Sequence, residues 1–350
     1  MITPTTVQTT NRREAYYKEI AECYLAPLWE RLATVAPSVP RPGAKPMGWH
    51  YADVRPHVLK AGDLLTTEEA ERRVLMLENS GLEGQSRITD SLYAGLQLLL
   101  PGERAGSHRH TAGALRVILE GSGAYTSVNG ERTLMERGDV VITPSWSWHD
   151  HGNDSSEPMI WMDGLDVHIV NLFNAGFFEP HPDHTVPTSR SAGDSEVRYS
   201  VGGLCPEGSE SNRLSTPLLN YRYEAARSSL ADLYRRGPVD PCHGVKLRYV
   251  NPLTGEAVMP TLSATLQLVP AGFETAPYRS TESAVCVALE GKGRVEFENQ
   301  SFEWTENDIF VVPSWVPRRL FAESESILFS FSDRVAQEKL GIWREKRGDS

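Results

Sequence analysis

The sequence predicts an all-β protein built from two double-stranded β-helix (jelly-roll) barrels with an N-terminal helical arm and a helical linker. Three observations carry this expectation. From about Ile88 the chain breaks into short apolar runs such as SLYAGLQLLL, LRVILEG and DVVITPSW, separated by Gly, Pro, Asn and Asp, which is the pattern of a β-sandwich or barrel. The segment EGSGAYTSVNGERTLMERGDVVITPSW from Glu120 is echoed by EGKGRVEFENQSFEWTENDIFVVPSW from Glu290 to Trp315, at an offset of 170 at the Glu and 169 at the Pro-Ser-Trp. Duplication of one β unit also accounts for 350 residues, about twice a common domain length of about 150.

In chain order, the first eleven residues are Thr-rich and read as a loose tail. Asn11 with Glu14 reads as a capping box that opens a helix over about Arg12–Ala33, with Tyr17, Ile20, Tyr24 and Leu32 near helical spacing. A Pro-rich stretch, Pro37 to Pro46, ends it. A second helix is predicted from Thr67 to about Asn79, opened by Thr66 or Thr67 with Glu68 and Glu69 in its first turn. Asn129-Gly130, between Tyr125–Val128 and Glu131–Leu134, is a two-residue hairpin signal. Polar sequence from Pro182 to Ser215 reads as linker, followed by a helix near Tyr223–Arg235. The expected division is an arm over 1–85, a catalytic barrel over 86–180, a linker with helix over 181–250, a second barrel over 251–335 and a tail over 336–350.

Composition narrows the function classes. The formal net charge is −11 with no basic cluster, so phosphate backbones are repelled and no nucleic-acid partner is expected. No run of about 18 apolar residues is present, and the amino terminus lacks the features of a secretory signal. Four scattered cysteines without a CxxC pair suit a reducing compartment. A cytoplasmic enzyme without membrane contact is the expectation.

The chemistry concentrates in two strings, His108-Arg109-His110 and His149-Asp150-His151. Strand alternation puts His108 and His110 on one face, where two imidazoles can converge on one metal ion. Alone, an HxH pair is a weak signal. Its frame is stronger: Gly102, His108, His110, Ala114 and Gly121, then Gly138, Pro144, His149 and Asn153, match the spacing of the two cupin motifs. The chain resembles a cupin and, with its second copy, a bicupin; the resemblance makes His108, His110 and His149 the metal ligands.

Two departures from the motif are informative. Ala114 stands where a Glu ligand is usual, and Trp146 where a Gly is usual. Three neutral imidazoles leave a divalent ion near its full charge, attractive to an anionic chelator, with coordination positions open; a closed structural zinc site needs a fourth protein ligand. Counting by twos from His110 brings Arg116 to the same face, where it meets either an acid of the barrel or an anionic group of the substrate. Tyr93, Gly95 and Gln97 share a face of the preceding strand, Asp163 shares one with Trp161 and Leu165, and His151 has the parity of His149. In the second copy Tyr278, Ser280 and Arg318 replace the three histidines and Cys286 replaces Arg116. One metal site per chain is therefore expected.

Several segments, WHYADVRP, AERRVLMLEN, LYAGLQLLLPGE, HRHTAGALRVILEGSGAYT and PSWSWHDHGN, resemble the gentisate 1,2-dioxygenase group, with its salicylate and 1-hydroxy-2-naphthoate neighbours. The likeness runs from about Trp49 to Phe178 and resumes in APYRSTESAVCVALEGKG. The resemblance implies one non-haem Fe(II) per chain, a homotetramer, and opening of gentisate between C1 and C2 with dioxygen to give maleylpyruvate. It also implies that Arg116 and His151 contact the substrate, His151 as a proton acceptor and donor, while Arg72, Tyr93, Gln97 and Asp163 line or support the pocket; Gly95 is small, and a bulkier residue there would restrict ring substituents. Arg72 falls on the predicted second helix. Alternatives are the same chemistry on salicylate, a 5-substituted salicylate or 1-hydroxy-2-naphthoate, a redox-free metal-dependent isomerase or hydrolase, and a non-enzymatic binding bicupin.

Overall fold

In the computed structural model, which describes residues 4–209 and 214–348, the chain divides into two units, Met1–Arg41 and Pro42–Ser350. The first unit is a helix pair, α1 (Pro4–Glu22) and α2 (Leu28–Val35). The helix expected over 12–33 is thus two helices, parted where Tyr24 takes a left-handed φ of 56° and Pro27 precedes α2. Asn11 lies inside α1 and is not its cap, and residues 4–11 of the expected tail are helical; residues 1–3 lie outside the described residues. Tyr17 Oη donates to Glu30 at 2.5 Å and accepts from Trp29 Nε1 at 2.7 Å, which ties the two helices. Leu28, Trp29, Leu32 and Val35 of α2 are exposed.

The second unit opens with β1 (Met47–Trp49), α3 (Tyr51–Leu64), α4 (Thr67–Ala70) and β2 (Val74–Met76). The second predicted helix begins as expected, with a capping box formed by Thr66 and Glu69, but it lasts one turn. Glu71 turns out of it at a φ of 50°, and Val74–Met76 pair with the first strand of the barrel instead of continuing the helix. Backbone pairing at a sheet edge outweighs a helical apolar pattern here. Helix α3 was not expected: Pro56 lies inside it and only Tyr51 and Val58 are buried, so its apolar pattern is thin.

The first barrel follows with β3 (Tyr93–Leu99), β4 (Arg104–His110), β5 (Ala114–Glu120), β6 (Ala124–Val128), β7 (Glu131–Leu134), β8 (Val140–Thr143), β9 (His149–Asn153) and β10 (Met159–Leu165), then α5 (Val167–Leu172) and β11 (Phe178–Pro180). Asn129 and Gly130 both have positive φ, 49° and 83°, as the type I′ hairpin turn requires. Beyond β11, the expected linker holds α6 (Asp194–Tyr199); its residues 210–213 lie outside the described residues.

Next come β12 (Asn220–Tyr221), α7 (Tyr223–Arg236) and β13 (Val245–Arg248), and the second barrel: β14 (Ser263–Val269), β15 (Tyr278–Ser280), β16 (Ala284–Glu290), β17 (Gly293–Phe297), β18 (Ser301–Trp304), β19 (Ile309–Val312), β20 (Arg318–Ala322) and β21 (Ser326–Ser332). The chain closes with α8 (Arg334–Lys339) and β22 (Glu345–Arg347). Each barrel has two facing sheets. They are ordered β12-β8-β5-β10-β3-β2 and β11-β4-β9-β6-β7 in the first, and β1-β19-β16-β21-β14-β13 and β18-β17-β20-β15-β22 in the second.

The repeat is therefore longer than the sequence echo, and it is exchanged. β1 precedes the first barrel yet pairs with β19 of the second, while β12 precedes the second barrel and pairs with β8 of the first. The helix after each exchanged strand bonds to both barrels. Tyr51 donates its N–H to Asp308 at 2.7 Å and its hydroxyl to Glu120 at 3.0 Å; Tyr223 donates its N–H to Asp139 at 2.9 Å and its hydroxyl to Glu290. One hydrophobic core spans the barrels, joining Ala94, Leu96 and Leu98 of β3 to Val285, Val287, Phe329 and Phe331. This leaves the opposite faces of β3, β5 and β10 to line the interior of the first barrel. Among the described residues no helix is long and apolar enough to cross a membrane.

Candidate metal centre

His108 and His110 stand two apart on β4, and His149 opens β9 directly across from His108 in the ladder. Alternation and register bring the three imidazoles together: their candidate ligand atoms all lie within 4.8 Å of one another. His110 Nδ1 lies 2.8 Å from the Ala112 carbonyl and His149 Nδ1 lies 2.9 Å from the Ser147 carbonyl. A carbonyl only accepts, so each Nδ1 carries the proton and each Nε2 presents a lone pair. His149 Nε2 is buried with no hydrogen-bond partner among the described residues, a deficit of about 1–3 kcal/mol unless a ligand fills it. Burial, with the Arg72 guanidinium next, drives the His108 imidazole down to about 2; burial, then His108, holds His149 well below its ordinary value. Neutral imidazole is the ligating form. Ala114 is buried at the position of the missing carboxylate, and the cluster contains no fourth ligating side chain among the described residues. The donor set fits a first-row divalent ion with open positions.

Arg116 and Asp163 face each other across β5 and β10. Arg116 Nε lies 3.1 Å from Asp163 Oδ1, and Nη1 donates to Thr143 at 2.6 Å. Of the two partners anticipated for Arg116, the barrel's own acid is thus present. Asp163 also accepts from Trp161 Nε1 at 3.1 Å; burial raises its carboxyl, opposed by Arg116. Arg72 does not lie on a helix. It sits in the turn between α4 and β2, donating to the Gly106 carbonyl at 2.6 Å and reaching the His108 ring. Burial, and then Arg116, pushes its guanidinium down to about 10. Arg72 and Arg116 bring two guanidinium groups to this end of the barrel, with Asp163 on Arg116, a setting that favours an anionic ligand.

Tyr93, Gly95 and Gln97 share the inner face of β3, in register with Leu165, Asp163 and Trp161. A Cβ on Gly95 would lie 2.5 Å from Val74 Cγ1 and 3.0 Å from the Tyr93 hydroxyl. The glycine is thus required by the close approach of β2, a strand the sequence did not reveal. His151 lies beyond the cluster on β9, its ring 5.9 Å from that of His149 and 5.3 Å from Trp161. Its Nδ1 is hydrogen-bonded to Thr126 Oγ1 at 2.9 Å, and Thr126 Oγ1 also lies 3.2 Å from the Met135 sulfur.

Two features escaped sequence reasoning. Phe178 of β11 lies 5.2 Å from the His108 ring, brought there by the pairing of β11 with β4; no local pattern announces that pairing. Arg109, between His108 and His110, stacks on Trp146 at 4.5 Å and Trp148 at 4.4 Å and pairs with Glu179 at 2.6 Å. Trp146 has a φ of 58°, which explains why glycine is usual there. Holding a bulky residue in that region costs about 1–3 kcal/mol, and the stacked Arg109 helps to offset it.

Two jelly-roll barrels with, among the described residues, one three-histidine centre define a metal-binding bicupin. Residues 95–168 match the family model of the Cupin domain. The chain is 49% identical to "Gentisate 1,2 dioxygenase 1" of Aquipseudomonas alcaligenes over 97% of each chain. It is 32% identical to 5-aminosalicylate 1,2-dioxygenase of Comamonas sp, over 95% of this chain and 90% of that one. Its structure is similar to that of a mutant salicylate 1,2-dioxygenase from Pseudoaminobacter salicylatoxidans in complex with gentisate, with a TM-score of 0.91 and 37% identity over 97% of this chain and 96% of that one. The chain belongs to the gentisate 1,2-dioxygenase family, and it is a dioxygenase.

Proposed function

We propose that the protein opens gentisate (2,5-dihydroxybenzoate) between C1 and C2 with dioxygen to give maleylpyruvate, using one Fe(II) per chain held by His108, His110 and His149. The observation that carries the reading is the cluster of three neutral imidazoles with no fourth protein ligand, set beside two guanidinium groups. Iron, when bound, supplies the redox chemistry through which triplet dioxygen reacts with a closed-shell ring. The protein's own groups do the rest. Arg116 and Arg72 hold the substrate carboxylate, and Asp163 fixes the Arg116 guanidinium at 3.1 Å. His151 takes and returns a phenolic proton. Tyr93, Gly95 and Gln97 form the wall against which the ring lies, and the first barrel, 86–180, is the catalytic one. The exposed apolar residues of α2 support a homo-oligomer; the tetramer and the cytoplasmic location follow from the family resemblance.

Dioxygen uptake by the Fe(II)-loaded enzyme tests this, with gentisate, salicylate, 5-aminosalicylate and 1-hydroxy-2-naphthoate offered in parallel. Stoichiometric uptake with gentisate and a ring-opened product is the expected result. Uptake only with another of these acids moves the substrate and keeps the chemistry, whereas no uptake at full iron occupancy overturns the reading in favour of a redox-free reaction or simple binding.

A further inference from the structure

The second barrel has lost the ligand histidines, yet its interior is not filled. Apolar packing is the low-energy replacement for a lost polar site, because an unpaired buried charge is costly. A cavity of about 370 Å³ remains instead. It lies where the metal centre lies in the first barrel: Tyr278 faces Arg318 in the ladder as His108 faces His149. Several charges around it are paired. Arg334 pairs with Glu338 at 2.7 Å and Arg347 with Asp240 at 2.6 Å; Glu282 accepts the hydroxyls of Ser280 at 3.2 Å and Ser332 at 2.6 Å and, beyond ion-pair distance, favours the charged form of Lys246.

Lys246 and Arg318 are different. Among the described residues neither has a carboxylate partner at ion-pair distance. Arg318 lies over the Tyr278 ring at 5.2 Å, and its Nη1 is buried without a hydrogen bond. His243 packs edge-on to Tyr278 at 4.5 Å, its Nδ1 also buried and unpartnered. Burial first, then Lys246 and Arg318 among the surrounding cations, drives the His243 imidazole down to about 2, a sign of how positive this interior is. Phe310, Leu320 and Leu328 supply apolar wall.

We propose that this cavity is a second ligand site for a small carboxylate with an apolar body, its carboxylate held by Lys246 and Arg318 and its body against Tyr278, Phe310 and Leu328. The volume is that of a site for a one-ring molecule, and two cations of different reach suit a carboxylate better than an uncharged ligand. Nothing in this assignment depends on the reaction of the first barrel.

The probe is 4-iodobenzoate, given to crystals of the metal-loaded full chain and titrated in solution by calorimetry. An anomalous iodine peak is expected inside the second-barrel cavity, at the apolar end formed by Phe310 and Leu328, with the carboxylate at Lys246 and Arg318. Lys246→Met should weaken that site at least tenfold while the metal content stays at one per chain, and Lys246→Arg should restore most of the binding. Absence of iodine from the second barrel at saturation overturns the proposal, as does binding to Lys246→Met and Arg318→Met equal to wild type. Inorganic phosphate filling the cavity while 4-iodobenzoate is excluded overturns the carboxylate assignment.

Discussion

The two barrels are the same scaffold with different interiors, and their register allows a pair-by-pair comparison. His108 opposite His149 becomes Tyr278 opposite Arg318. Arg116 opposite Asp163 becomes Cys286 opposite Ser330. Thr126 opposite His151 becomes Val295 opposite Leu320. Other features persist in both: Trp146 and Trp315 hold left-handed φ values of 58° and 61°, each beneath a stacked arginine, Arg109 and Arg279. What is duplicated is what both folds require, and what differs is not needed to form a barrel. The strained tryptophans follow the scaffold, present in both barrels, whereas the His151–Thr126 and Arg116–Asp163 pairs follow the three histidines, present in the first alone.

The sharpest way to break the comparison is to remove a ligand. His110→Ala should lower metal affinity well beyond the 10–100-fold typical of losing a group that merely supports a ligand, and turnover should fall to background. Stability of the metal-free protein should change by no more than about 1 kcal/mol, because the second barrel folds with Ser280 at that position. Metal analysis and a melting curve on the same sample decide it: an iron-replete, active variant refutes the ligand assignment, and a collapsed metal-free variant refutes the claim that the histidines are dispensable for folding.

The features legible in the sequence are those written in local patterns. Period-two runs, the Asn129-Gly130 turn and the two histidine strings each depend on residues a few positions apart, and each stands where the sequence placed it. The missed features depend on distant pairings. Val74–Met76 read as helix because the edge of β3 that captures them is about twenty residues away, and with β2 went the reason for Gly95 and the true setting of Arg72. The exchange of β1 and β12 was hidden for the same reason. Two- and three-residue strands carry almost no periodicity, and their partners β8 and β19 lie in the barrel that each is not next to in sequence.

The interface between the barrels offers a second test. Gly164 and Phe331 occupy matching positions of β10 and β21, one small and one large. A Cβ on Gly164 would lie 2.7 Å from the Phe331 ring, so the two barrels meet by complementary size at related positions. Phe331→Ala should destabilise the protein by about 3–5 kcal/mol. Adding Gly164→Leu to Phe331→Ala should recover part of this, as filling one side of a shared space compensates for emptying the other. Denaturant unfolding of the three variants measures the coupling; additive losses would mean that the two positions do not share that space.

The smallest effect separates two matching carboxylates by pH. Asp166 and Asp333 each follow the last barrel strand, accept an N–H from their own barrel (Gly113 at 2.8 Å and Ser283 at 2.9 Å) and a hydroxyl from the other, Thr261 and Ser91. Burial raises both, and Asp333 reaches about 6. An acid whose folded value lies above its unfolded value binds its proton more tightly when folded, so its stabilising contribution is fully present below about pH 4 and is lost as the pH rises through 6. Relative to Asp333→Asn, which keeps an acceptor for the Ser283 N–H without the charge, the wild type should lose on the order of 2 kcal/mol between pH 4 and pH 7. Paired melting curves across that range test it. Parallel curves would show that the Ser91 and Ser283 hydrogen bonds fully offset the burial of the charge, and that Asp333 is ionised throughout.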